Sequence, residues 1–140
     1  MLGGEYRHAL DQKNRIFTPA KLRDELGTSF VVVKAIRDKC LKVFSQAGWE
    51  AYIAPLREQN RKLQEQVLRF LNSTSAQVTP DAQGRILLTQ ELVDYAEIEK
   101  NAVVVGCGDY AEIWSEENYE KMKNETDMAE ILRQLEELGL

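Results

Sequence analysis

The sequence predicts an α+β fold made of two copies of one β-β-α-β-β-α unit, with peripheral helices. Three observations carry this. Asp11-Gln-Lys-Asn-Arg15-Ile16 returns as Asp81-Ala-Gln-Gly-Arg85-Ile86, seventy positions on (81 − 11 = 70). The same offset maps Leu22 onto Leu92, Asp24 onto Asp94, Phe44 onto Trp114 and Ser45 onto Ser115, and a fixed period of this kind marks a duplicated unit. Within each copy, short β-branched runs bounded by turn residues alternate with short amphipathic stretches.

The first unit occupies residues 5–47. Glu5–Leu10 reads as a strand, Asp11–Asn14 as a polar turn, and Arg15–Phe17 as the returning partner of that strand. Thr18-Pro19 has the form of a helix start, with threonine capping and proline at the first helical position. The helix turns Leu22 and Leu26 inward, and Gly27 supplies its stop. Phe30-Val31-Val32-Val33 is too β-branched and too short for anything but a buried strand. A turn at Arg37-Asp38-Lys39 reverses it into Cys40–Phe44. Ser45 caps a helix striped by Trp49, Tyr52, Ile53 and Leu56, which Pro55 ends or kinks.

Residues 48–75 are connecting helices. Leu56–Leu71 presents Leu63, Val67, Phe70 and Leu71 on one face, and Asn72–Ser75 breaks it. The second unit, residues 76–119, repeats the plan: a strand at Ala76–Thr79, the Asp81–Gly84 turn, Arg85–Leu88, and a helix from Gln90 to Ala96. A buried strand at Ala102–Val105 follows, then a Gly108-Asp109 turn, Glu112–Trp114, and a helix capped by Ser115 that carries Tyr119 and Met122. A C-terminal helix over 120–140 aligns Met128, Ile131, Leu132, Leu135 and Leu138, an apolar stripe expected to meet another subunit or the rest of the chain.

At 140 residues each half falls near the size where a lone core is marginal, so the halves are expected to share a core or lean on neighbouring subunits. No apolar run approaches the ~20 residues of a membrane span, and the N-terminus lacks a basic-then-apolar signal. Cys40 and Cys107 have no metal-ligand spacing and read as reduced thiols of a cytosolic protein. The net charge of −5 argues against a generic polyanion binder. Its distribution is uneven: residues 1–23 carry Arg7, Lys13, Arg15, Lys21 and Arg23 against Glu5 and Asp11, whereas 109–140 hold ten carboxylates against Lys121, Lys123 and Arg133. Such asymmetry suggests one face prepared for an anion and another kept from it, although charge alone favours a plain solvated surface.

The paired Asp-x-x-x-Arg turns resemble those of the MraZ family. The resemblance extends through Gly4-Glu5-Tyr6, Cys40-Leu41, the helix bearing Trp49, Val104-Val105-Gly106, and Glu112-Ile113-Trp114-Ser115. It implies a pseudo-duplicated AbrB-like β-barrel and a bacterial transcription regulator that assembles into rings. It also implies repression of the protein's own division and cell-wall operon through short direct repeats of double-stranded promoter DNA, hence a cytoplasmic, nucleoid-associated location. Two departures stand out: Asn14 where the family usually has glycine, and Thr89 at the position equivalent to Pro19. Asparagine tolerates a left-handed backbone better than other side chains, so the turn is expected to form.

The residues of the first turn have their own chemistry. Arg7, Lys13 and Arg15 suit guanine edges or phosphate, and Gln12 and Asn14 suit adenine. A two-stranded β-element fits the major groove. The alternative is that Asp11 and Asp81 simply brace Arg15 and Arg85 across their turns. The residues alone favour bracing; the resemblance implies DNA contact by Arg15. The second turn is poorer in charge, with Gln83 and Arg85 only, so Arg85 is the weaker candidate, either a supporting phosphate contact or a structural partner of Asp81.

Nothing in the sequence builds an enzyme. His8 is the only histidine, and there is no phosphate loop, nucleophile elbow, metal-ligand cluster or implied cofactor. The competing class is a ring-forming scaffold that binds a protein partner without touching DNA.

Overall fold

The computed structural model describes all residues from Met1 to Leu140. The first unit contains β1 (Glu5–Ala9), β2 (Arg15–Phe17), α1 (Ala20–Leu26), β3 (Phe30–Lys34), β4 (Leu41–Ser45) and α2 (Gln46–Ile53). A 3-10 turn at Ala54–Glu58 and α3 (Arg61–Asn72) lead to the second unit. It comprises β5 (Ala76–Val78), β6 (Arg85–Leu87), α4 (Gln90–Tyr95), β7 (Asn101–Gly106), β8 (Ala111–Ser115) and α5 (Glu116–Glu125), and α6 (Met128–Glu137) follows.

The strands form two antiparallel sheets, one six-stranded in the order β1-β7-β8-β4-β3-β5 and one a two-stranded ribbon of β2 and β6. The units are therefore interleaved. β1 pairs with β7 of the second unit, and β5 pairs with β3 of the first. The expected pairing of Arg15–Phe17 with Glu5–Leu10 does not occur, because β2 pairs with β6 instead. Nor is there a closed barrel: β1 and β5 end the larger sheet, and the ribbon lies apart from it as a second layer. A tight turn between two apolar runs says that the chain reverses; it does not say which strand receives the returning segment.

A pseudo-two-fold axis relates the units. In the ribbon Ile16 faces Ile86, and in the centre of the large sheet Lys42 faces Glu112, each pair seventy positions apart (86 − 16 = 112 − 42 = 70). Over the buried strands the offset becomes 72, since His8 pairs with Ala102 as Val78 pairs with Phe30 (102 − 30 = 72). The shorter connection between β7 and β8 restores it.

One core serves both units. Ile16, Leu22, Leu26, Phe30 and Val43 pack with Ile86, Leu92, Val93, Val104 and Ile113 between ribbon and sheet. On the sheet's other face Phe44 packs with Trp49 and Tyr52 of α2, and the equivalent Trp114 packs with Tyr119 of α5. At about 25 cal/mol per Å² of apolar surface removed from water, a core divided in two would leave each half too little burial to fold alone.

Helix ends follow their capping chemistry with one exception. The Ser45, Thr89 and Ser115 hydroxyls accept from the backbone N–H groups of Gly48, Leu92 and Asn118, caps worth about 1 kcal/mol each. Thr18 does not cap α1; it is buried, Pro19 takes the cap position, and no side chain bonds the helix start. The connecting helix is interrupted by Gln59 and Asn60, with Asn60 capping α3. The C-terminal helix is likewise two, split at Thr126 and Asp127, whose carboxylate accepts from the Glu130 N–H. No residue of α6 is buried, and Met128, Ile131, Leu132 and Leu138 stand exposed. No helix is long and apolar enough to cross a membrane.

Candidate nucleic-acid interface

The two Asp-x-x-x-Arg turns are copies at the level of individual hydrogen bonds. Asp11 Oδ1 accepts from the Lys13 and Arg15 N–H groups at 2.9 and 2.8 Å, and Asp81 Oδ1 accepts from Gln83 and Arg85 at 2.9 Å each. The second carboxylate oxygen takes the guanidinium Nε of the same turn, Arg15 at 2.7 Å and Arg85 at 2.9 Å. Backbone donation to the ionised form, that of Arg15 and of Arg85 first, holds both aspartates below their ordinary value. The bracing expected of Asp11 and Asp81 and the presentation of the arginines are thus one arrangement. Nε is tied down in both turns; Arg15 meets no second carboxylate, whereas Arg85 Nη1 also lies 3.8 Å from Asp11 Oδ2.

Each turn closes through a residue with positive φ, Asn14 at 59° and Gly84 at 82°. Asn14 adopts the left-handed conformation, so its backbone does what the more usual glycine would do. Glycine at position 84 has a further reason. A Cβ there would lie 2.9 Å from Arg23 Cζ and 3.1 Å from the Phe17 ring.

The ribbon places the turns together. Beyond the three ladder pairs, Thr18 N–H donates to Gly84 O at 2.8 Å and Leu88 N–H to Asn14 O at 2.9 Å, a reciprocal pair across the axis. Strand alternation buries Ile16 and Ile86 and sets Arg15, Phe17, Arg85 and Leu87 on the outer face. Arg15 stands opposite Leu87, and Arg85 opposite Phe17.

The named residues fare differently. Arg15, Lys13 and Arg85 come together, and Lys13 makes no ion pair. The Asn14 amide donates to Gln90 Oε1 of α4 at 2.9 Å, so its side chain is already engaged. Arg7 is not brought in. Its guanidinium meets Glu120 and Glu116 of α5, and Glu5, which clamps α5 onto β1. His8 stacks edge-on against Phe17 with centroids 5.0 Å apart. Arg23 joins the site, although in the sequence it counts only among the N-terminal cations. It donates to Thr18 O at 2.9 Å and lies over the Phe17 ring and against Gly84, adding a cation from the first unit to the second turn. Its place on a helix eight residues past Arg15 gives no linear signal of this.

No group of three or more His, Cys, Asp or Glu side chains converges to hold a metal ion, and both cysteines are free thiols. Fold and site together define a duplicated α+β protein that carries two Asp/Arg turns side by side on a two-stranded ribbon. The family model of the MraZ protein matches residues 1–71 and again 70–137. The chain is 39% identical to the transcriptional regulator MraZ of Clostridium acetobutylicum, 38% to that of Thermoanaerobacter sp. and 40% to that of Clostridium beijerinckii, over the full length of both chains in each comparison. The chain belongs to the MraZ family and carries two copies of its unit.

Proposed function

We propose that this chain is a sequence-specific DNA-binding transcriptional regulator, a cytoplasmic and nucleoid-associated repressor of its own operon. It acts as a ring of like subunits on direct promoter repeats and catalyses no reaction. The observation that carries the reading is the pair of arginines on one ribbon face, each with Nε held by its own aspartate. A preordered fork loses little entropy on pairing bidentately with guanine. Two strands suit the major groove, and Lys13 and Arg23 flank them for phosphate.

Few cations per subunit make single-copy binding weak, since affinity grows with the phosphates neutralised. Several copies on spaced repeats raise it through effective concentration. The exposed apolar face of α6 supports contact between copies. That same face, with the acidic C-terminal region, also favours the second reading, a scaffold that binds a protein partner.

A gel shift with the protein's own upstream region, titrated with salt, separates the two. Retention that falls steeply with salt and exceeds retention of scrambled duplex is expected. Equal, negligible retention of both would leave the scaffold.

A further inference from the structure

The outer ribbon face is asymmetric at one pair of equivalent positions. Phe17 and Leu87 are related by the pseudo-two-fold axis (87 − 17 = 70). Phe17 is covered, with His8 edge-on at 5.0 Å and the Arg23 guanidinium 5.8 Å from its centroid. Leu87 has no such cover and is 61% exposed. A single exposed leucine is ordinary on a protein surface. This one is the direct cross-strand neighbour of Arg15 and shares a strand with Arg85, in a three-pair ribbon whose other side chains on that face are arginine or a shielded ring. Cross-strand neighbours hold their Cβ atoms about 5 Å apart, so whatever Arg15 grips, Leu87 touches beside it.

We propose that Leu87 is a specificity-determining residue that packs against the 5-methyl group of a thymine next to the guanine read by Arg15. The proposal rests on the DNA-binding reading above. The chemistry selects the occupant. Among major-groove base edges the thymine methyl is the largest apolar feature; the rest is donors, acceptors and the flat C–H edge of cytosine. Leucine offers neither, and against a polar base edge its burial would strip water from groups it cannot replace.

The test uses a duplex of the protein's own upstream region in which thymines are replaced one at a time by uracil, which removes only the methyl. Wild-type protein, Leu87→Ala and Leu87→Met are compared by binding titration, with sedimentation of each variant alone. At one position per site, uracil is expected to weaken the wild type about threefold to fivefold, the worth of one buried methyl group. Leu87→Ala should be indifferent to uracil there, and Leu87→Met should keep the dependence. Additive losses from Leu87→Ala and uracil at every position would overturn the proposal. So would a changed oligomer in Leu87→Ala, which would make Leu87 a contact between copies. Wild-type binding with no methyl dependence overturns this inference alone, whereas no preference for the upstream region over scrambled duplex overturns the DNA reading with it.

Discussion

Asp11 and Arg85 belong to different halves of the chain, yet Arg85 Nη1 lies 3.8 Å from Asp11 Oδ2. Asp11 thereby touches both arginines of the ribbon, whereas Asp81 touches only Arg85. The two turns are copies in hydrogen bonding and unequal in charge. Arg15 answers to one carboxylate and Arg85 to two.

That inequality orders the arginines. Arg15→Ala is expected to cost more operator affinity than Arg85→Ala, since Arg85 is the more neutralised and Arg23 stands by its turn to substitute for it. Titrations of both folded variants decide this, and equal losses or a larger loss at Arg85 would reverse the assignment.

Arg15 and Lys13 divide specificity and affinity. Arg15→Lys keeps the charge and removes the fork, so it should cost roughly 1–3 kcal/mol on the operator and little on scrambled DNA. Lys13→Ala should weaken both and flatten the salt slope by about one unit for each phosphate no longer neutralised. If Arg15→Lys lowers both affinities alike, Arg15 holds backbone rather than base.

The ribbon is pinned to the core where Ile16 meets Ile86, each 1% exposed. Either isoleucine changed to alanine should lose about 2–5 kcal/mol of stability. Because the two face each other, the double variant should lose something other than the sum. Denaturant midpoints of the single and double variants measure it.

Much of this was legible in the sequence, and the limits have physical causes. The seventy-residue offset and the Asp/Arg turns were visible because turn chemistry is local: an aspartate reaches backbone N–H groups two and four residues on. The exchange of edge strands was not, since β1 could pair with β2 or with β7 at similar local propensity and only the whole core decides. Arg7 reads as a cation beside a basic turn until α5, more than a hundred residues away, brings Glu116 and Glu120 to it. Thr18-Pro19 has the composition of a cap, but burial of Thr18 against the core overrides it.

Acid should release the turns. Both aspartates sit below their ordinary value of 3.8 in the folded chain, so their contribution to stability is present above that value. It is lost as pH falls through the lower folded values. Between pH 7 and pH 3 the wild type should therefore lose more stability than Asp11→Asn with Asp81→Asn. Urea midpoints at the two pH values check this, and equal losses would show that the carboxylates titrate as in the unfolded chain.

The exposed α6 stripe predicts assembly. The wild type should sediment well above 16 kDa at micromolar concentration, and Leu132→Glu, at a position 59% exposed, should shift it toward smaller species without unfolding it. A wild type that sediments as a single chain would remove the expectation.

The traded edge strands bear on how such a chain is born and how it came to be. While the N-terminal half emerges from the ribosome, β3 has an open edge until β5 follows and β1 has one until β7 follows, so the six-stranded sheet cannot be complete before β7 and β8 have been made. The pattern of exchange is what two separate single-unit chains would make on dimerising, each lending a strand to the other. In a dimer of one unit the two lips of the ribbon would have to be identical; in a single chain they need not be. Asn14 and Gly84, and Phe17 and Leu87, record how far that freedom has been used.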